Sequence, residues 1–258
     1  MAAIAGNFVW YEYMAADMKA AADFYAKAVG WDLKQGDMTD FPYTLLSAGA
    51  TPVGGLMALP EEARRLGARP GWIGYLGVPD VDAYAAKAVA AGARLHRPAG
   101  DIPGVGRFAV LGDPDGAPFV LFKGEPAEDP RQRLADDAPG NVGWRELRAG
   151  ALEGAFAFYS GLFGWKKTRA MDMGPMGAYQ VFESADGQPG GMMAKPADAA
   201  KPFWLFYFNV ESIEAAVQRI VAAGGRVVIG PHEVPGGGWV TRGVDPQDAP
   251  FALLAPRR

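Results

Sequence analysis

Residues 8–14, FVWYEYM, form a run of aromatic and apolar side chains around a single carboxylate, which is the composition of a β-strand. The apolar period then lengthens. Ala21, Phe24, Tyr25 and Ala28 recur three and four residues apart, as one face of a helix does. Asp17 stands where its carboxylate can cap the first turn, and Gly30 where a helix ends. The plan returns further along. Residues 72–78 read as a strand and 80–91 as an alanine-rich helix closed by Gly92. Residues 107–111 and 119–122 read as strands joined by Asp113-Pro114-Asp115-Gly116, whose proline and glycine suit a tight turn. The pattern predicts a β-α-β-β-β order, repeated.

The repetition extends to the whole chain. Asn7, Trp10, Glu12, Ala21, Phe24, Tyr25, Gly30 and Trp31 recur as Asn141, Trp144, Glu146, Ala155, Phe158, Tyr159, Gly164 and Trp165, each 134 residues later (144 − 10 for the tryptophans). Gly54-Gly55 is echoed by Gly190-Gly191, and beyond it the spacing becomes 132, so that Asp113-Pro114 meets Asp245-Pro246. A repeat this long marks two copies of one folding unit. The expected organisation is an N-terminal module of residues 1–123, a Pro- and charge-rich linker of 124–140, and a C-terminal module of 141–258. The copies are expected to pack on each other.

Composition narrows the function classes. Of 258 residues, 50% are apolar, enough for two cores. With no cysteine, disulfides, thiolate metal sites and a cysteine nucleophile are all excluded. A net charge of −4 without a basic stripe argues against nucleic acid, and the longest apolar run, residues 203–208, is far short of a membrane span. These features predict a soluble cytoplasmic protein, monomer or homodimer, whose partner is a small molecule.

The helix ending in Phe-Tyr with Gly-Trp after it, the DPDG turn before the last strand, and the duplicated β-α-β-β-β order resemble the vicinal oxygen chelate superfamily of glyoxalase I, bleomycin-resistance proteins and extradiol dioxygenases. The resemblance implies an α+β fold of tandem modules, each with paired β-α-β-β-β units curling into a cup. It also implies one divalent metal in catalytic members, held by His, Gln or Glu. The positions matching those ligands are Trp10 and Trp144 on the first strands, Ile73 and Leu205 on the middle strands, and Val120 and Ala252 on the last. None can coordinate a hard or borderline cation. The expectation is therefore no cofactor and no metal ligand, with an unorthodox carboxylate-held divalent metal as the alternative.

Candidate chemistry falls on the first strands. Glu12 and Glu146 each follow a tryptophan by two residues and share its sheet face. They read as structural acceptors or as acid–base residues. Trp10, Tyr43, Met57, Trp72 and Tyr75 are expected to line a flat apolar cup, with Arg107 on a flap formed by residues 101–107. Residues 233–239 form the matching flap. Arg145 and Arg148, beside Glu146, read as a salt-bridged surface pair that would keep Glu146 ionised. His96 and His232 read as exposed loop or strand-end residues, with proton transfer at the rim as the alternative. Two functions stay open: a metal-free binder of a small apolar or aromatic molecule, and a lyase, isomerase or dioxygenase-like enzyme using Glu, Tyr or His.

Overall fold

The computed structural model describes residues 5–36, 41–125 and 134–258; residues 126–133 of the expected linker lie outside them. The first copy runs β1 (Phe8–Ala15), α1 (Met18–Ala28), β2 (Asp32–Gln35), β3 (Tyr43–Ala48), β4 (Thr51–Ala58) and a short α2 (Glu61–Arg65). It continues with β5 (Gly71–Gly77), α3 (Val81–Ala90), β6 (Arg94–Ile102), β7 (Gly106–Gly112) and β8 (Pro118–Gly124). The second copy repeats it: β9 (Val142–Ala149), α4 (Leu152–Phe163), β10 (Lys166–Asp172), β11 (Ala178–Glu183), β12 (Pro189–Ala194), β13 (Phe203–Asn209), α5 (Ile213–Ala222), β14 (Arg226–Glu233), β15 (Trp239–Val244) and β16 (Pro250–Ala255). Two eight-stranded mixed sheets result, in the orders β2-β3-β4-β1-β5-β8-β7-β6 and β10-β11-β12-β9-β13-β16-β15-β14. No described helix is long and apolar enough to cross a membrane.

The local signals act as expected. The Asp17 carboxylate accepts the Ala20 N–H at 3.0 Å, and Gly30 takes φ +97°, the left-handed backbone that ends the helix. Ala21, Phe24, Tyr25 and Ala28 are buried, so the helical period marks the face that packs.

Packing divides the chain differently from the sequence repeat. One compact unit takes Met1–Trp10, Ile73–Pro130 and Arg145–Trp204; the other takes Tyr11–Trp72, Arg131–Trp144 and Leu205–Arg258. Each unit therefore combines parts of both copies. In the second, the Tyr25 phenol donates to Asp245 Oδ2 at 3.0 Å, Tyr13 donates to the same oxygen at 2.5 Å, and Phe24 meets Phe251 edge-on at 5.4 Å. In the first, Tyr159 donates to Asp113 at 3.3 Å and Phe158 meets Phe119. Trp31 Nε1 donates to the Gly140 carbonyl at 2.8 Å in one unit, and Trp165 Nε1 to that of Gly6 at 2.9 Å in the other. The Phe-Tyr motif of each copy is thus received by the Asp-Pro turn of the other. Burial, then the Asp245 charge, pushes both Tyr13 and Tyr25 well above the ordinary phenol range.

The other oxygen of each aspartate organises its own turn. Asp113 Oδ1 accepts the amides of Asp115, Gly116 and Ala117, and Asp245 Oδ1 those of Gln247 and Ala249. The turn in turn caps a helix. Ala151, at the start of α4, has no capping side chain, and its N–H donates to Asp115 Oδ2 at 2.7 Å. Gln247 Oε1 accepts the amides of Ala16 and Asp17 just before α1.

Candidate functional site

Each first strand carries its glutamate inward to a tyrosine. Glu12 on β1 is buried, and Tyr43 Oη on β3 donates to its Oε1 at 3.0 Å. Glu146 on β9 is likewise buried, with Tyr179 Oη on β11 at 3.0 Å from its Oε2. Between glutamate and tyrosine lies the double-glycine strand. Gly55 pairs with Glu12 and Gly191 with Glu146 in parallel register. A Cβ on Gly55 would lie 1.8 Å from Tyr43 Oη, and one on Gly191 would lie 2.1 Å from Tyr179 Oη. The glycines are there because the tyrosine must cross them to reach the carboxylate. Gly55→Ala should push Tyr43 off Glu12 and cost about 1–3 kcal/mol by overpacking. A urea midpoint unchanged from the parent would show that Tyr43 does not cross that glycine.

The two glutamates differ in what surrounds them. Arg148 Nη2 lies 2.5 Å from Glu146 Oε1, with both side chains 4–5% exposed, and Arg148 Nη1 contacts the Met193 sulfur at 2.8 Å. Arg145 is 4% exposed. The surface pair expected of Arg145 and Arg148 is corrected here: both arginines are buried, because β9 lies inside the sheet between β12 and β13. In the first copy Met14 occupies the place of Arg148, facing Met57 across β1 and β4.

Other residues expected at the site are distributed differently. Trp10 is half-buried on β1, and Met57 is half-buried on β4. Trp72 belongs to the core: its ring lies 5.3 Å from Tyr13, 5.0 Å from Tyr25, 5.7 Å from Trp31 and 4.8 Å from Phe208. Trp72 and Tyr75 are three residues apart on β5, so strand alternation puts them on opposite faces and they cannot line one surface. Tyr75 packs edge-on against Phe122 at 5.8 Å. Arg107, on β7 next to the hairpin tip, is already ion-paired. Its guanidinium is gripped by Asp82 at 2.7 and 2.9 Å and by Asp101 at 2.9 Å. His96 and His232 lie exposed on the edge strands β6 and β14. Partial burial, then Arg94 and Arg242 respectively, lowers their basicity.

The divalent metal implied by the fold does not fit these residues. Ile73, Val120, Leu205 and Ala252 are buried hydrocarbon, and Trp10 and Trp144 offer no lone pair. Among the described residues, no three His, Cys, Asp or Glu side chains converge. Each first strand brings a carboxylate to a phenol, and Arg148 adds a guanidinium beside Glu146.

Comparison with known proteins agrees with this fold. Residues 10–122 match the model of a glyoxalase-like domain, and residues 141–251 match that of the glyoxalase/bleomycin resistance protein/dioxygenase superfamily. The putative glyoxylase CFP32 of Mycobacterium tuberculosis is 29% identical over 249 residues, 96% of this chain and 94% of that protein. The anthracycline biosynthesis protein DauV of a Streptomyces species (strain C5) is 28% identical over 267 residues, with 98% and 94% covered. Among solved structures, homoprotocatechuate 2,3-dioxygenase from Arthrobacter globiformis superposes with a TM-score of 0.68 at 14% identity, covering 98% of this chain and 80% of that one. The Mn(II)-bound glyoxalase from Novosphingobium aromaticivorans gives 0.65 at 18% identity, covering 98% and 82%. At these identities the structures share the fold alone.

Proposed function

Because this chain belongs to the vicinal oxygen chelate superfamily, we propose that it binds a small, largely apolar or aromatic molecule on the first strand of its first copy, without the metal that catalytic members use. The observation that carries this reading is the buried Glu12–Tyr43 pair, on the strand where Met14 stands opposite Met57 and two residues after Trp10, the position matching a metal-binding member's first ligand. A carboxylate and a phenol among apolar groups can orient one hydroxyl or amine of a ligand, while methionine adapts to the rest. The likeness to a protein named for anthracycline biosynthesis favours a polycyclic aromatic ligand.

An anthracycline aglycone is the probe of choice. Titrated against tryptophan fluorescence, it should bind the parent chain, and Glu12→Gln should weaken it at least tenfold. Glu146→Gln should weaken it less, since Glu146 lies on β9 of the second copy, outside the proposed site, with Arg148 and Tyr179 as its partners. Equal effects of the two substitutions would make both glutamates scaffold. Protein purified without added metal should carry none stoichiometrically, and a chelator should leave its melting temperature unchanged, because only a ligand of the native state raises stability. About one equivalent of Mn, Fe, Ni or Zn per chain, lost together with stability, would sink the metal-free reading.

A second reading is acid–base catalysis by the same pair. The 3.0 Å phenol–carboxylate hydrogen bond favours it, since it joins a proton donor to an acceptor within one site. Conversion of the bound aglycone by the parent but not by Glu12→Gln, followed by mass spectrometry, separates catalysis from binding.

A further inference from the structure

We infer that the first strand of the second copy takes a different class of molecule: an anion, either a carboxylate or an enolate on an apolar body, received by Arg148. This rests on the reading of the first strands as ligand-binding and assigns the second one its chemistry.

A guanidinium carries five N–H donors in a rigid fork, and a buried one needs strong acceptors for them. The Arg148 side chain is 5% exposed. Among the described residues its polar contacts are Glu146 Oε1, through Nη2, and the Met193 sulfur at 2.8 Å, through Nη1. A thioether is a weak acceptor, so Nη1 has given up water for little in return. Nothing about an ion pair with Glu146 requires this, because one carboxylate oxygen already holds the charge. An oxyanion in the place of the sulfur would receive a charge-assisted hydrogen bond from Nη1.

The surroundings suit such an exchange. Glu146 is held by Tyr179 as well as by Arg148, so the guanidinium keeps its orientation when Nη1 changes partner. Met193 is unbranched and can turn its sulfur aside at little cost. In the first copy the register is the same, but the pair across the two strands is Met14 and Met57, and neither offers a donor. Arg148 and Met193 stand at those places in the second. One strand is therefore suited to a neutral ligand and the other to an anionic one.

Benzoate and benzamide, nearly equal in shape but one anionic and the other neutral, test this on the full chain carrying 13C-methyl methionine. Benzoate is expected to bind at least tenfold more tightly than benzamide and to shift the Met193 methyl resonance. Arg148→Lys keeps the charge, and with it the ion pair and the fold, but loses the fork. It should weaken benzoate tenfold or more and leave benzamide unchanged. Met193→Leu, which removes the competing sulfur, should tighten benzoate. Equal affinity for the two probes, benzoate binding untouched by Arg148→Lys, or a benzoate shift at Met57 instead of Met193 would each overturn the inference. A neutral aromatic that shifts Met57 while benzoate fails would leave the proposed function standing and this inference refuted. Benzoate at Met193 with no neutral ligand at Met57 would do the reverse, and binding of neither would refute both.

Discussion

Glu146→Gln is expected to lower the stability of the chain by about 3–5 kcal/mol, the usual cost of leaving one member of a buried ion pair without its partner. Arg148 would keep its charge in a site 5% exposed, facing a neutral amide and a thioether. At roughly 2–4 °C per kcal/mol for a chain of this size, the melting temperature should fall by about 10 °C. Arg148→Met should be similarly costly, because it strands the carboxylate instead. The double variant should recover much of the loss, since two neutral groups in place of the pair avoid burying any charge. A double-mutant cycle in urea measures this directly. Additive losses would mean that the two charges do not depend on each other, and the ion pair would not be what holds β9 in place.

Asp245→Ala should be the second severe substitution, costing on the order of 4–6 kcal/mol, as several hydrogen bonds to a buried charge are lost together. Asp245 accepts from the phenols of Tyr13 and Tyr25 through one oxygen and from the amides of Gln247 and Ala249 through the other. Asp113→Ala should cost less. It strands one phenol, held at a longer 3.3 Å, because Leu147 stands where Tyr13 does and brings no hydroxyl. Urea unfolding of the two variants gives the comparison. If Asp113→Ala were the more damaging, the turn amides rather than the phenols would be the dominant partners. Burial already pushes the Asp113 carboxyl up, against the pull of its three amides, so its charge is held at a disadvantage that Asp113→Asn would relieve.

The fold was legible because its signals are local and occur twice. The helical period of Ala21, Phe24, Tyr25 and Ala28, the Asp17 cap and the DPDG turn each depend on neighbours a few residues away. The buried glutamates were legible too, since alternation along β1 and β9 gives their sheet face. Tyr43 was legible as a residue near Glu12, but its hydrogen bond to that carboxylate was not, nor was Tyr179, because spacing alone cannot tell which residue of another strand will cross a glycine. The echo of Gly54-Gly55 in Gly190-Gly191 was the available sign that something large must pass over them.

The core place of Trp72 was partly legible, since period-2 alternation on β5 puts it opposite Tyr75. The ion pair of Arg107 was not legible for a longer-range reason: its partner Asp82 is 25 residues away, on a helix whose packing the sequence does not reveal. The buried state of Arg148 depends on the sheet order, which no single strand encodes.

The Phe-Tyr helix of each copy closes on the Asp-Pro turn of the other, and this changes what the duplication is for. A single-copy chain with these motifs would own both halves of the lock but, in this arrangement, could not join them within itself. It would need a second molecule, and its folded state would depend on protein concentration. Placing both copies on one polypeptide makes the exchange intramolecular, and the concentration of the missing partner is then fixed by the tether instead of by expression. It also removes any independence between the copies. A premature stop after the first would not leave half a protein but would take Asp245 from one unit and Tyr159 from the other, opening both at once. Inheritance of the two copies is therefore all or nothing, although the residues beside each glutamate have diverged, Met14 in one and Arg148 in the other.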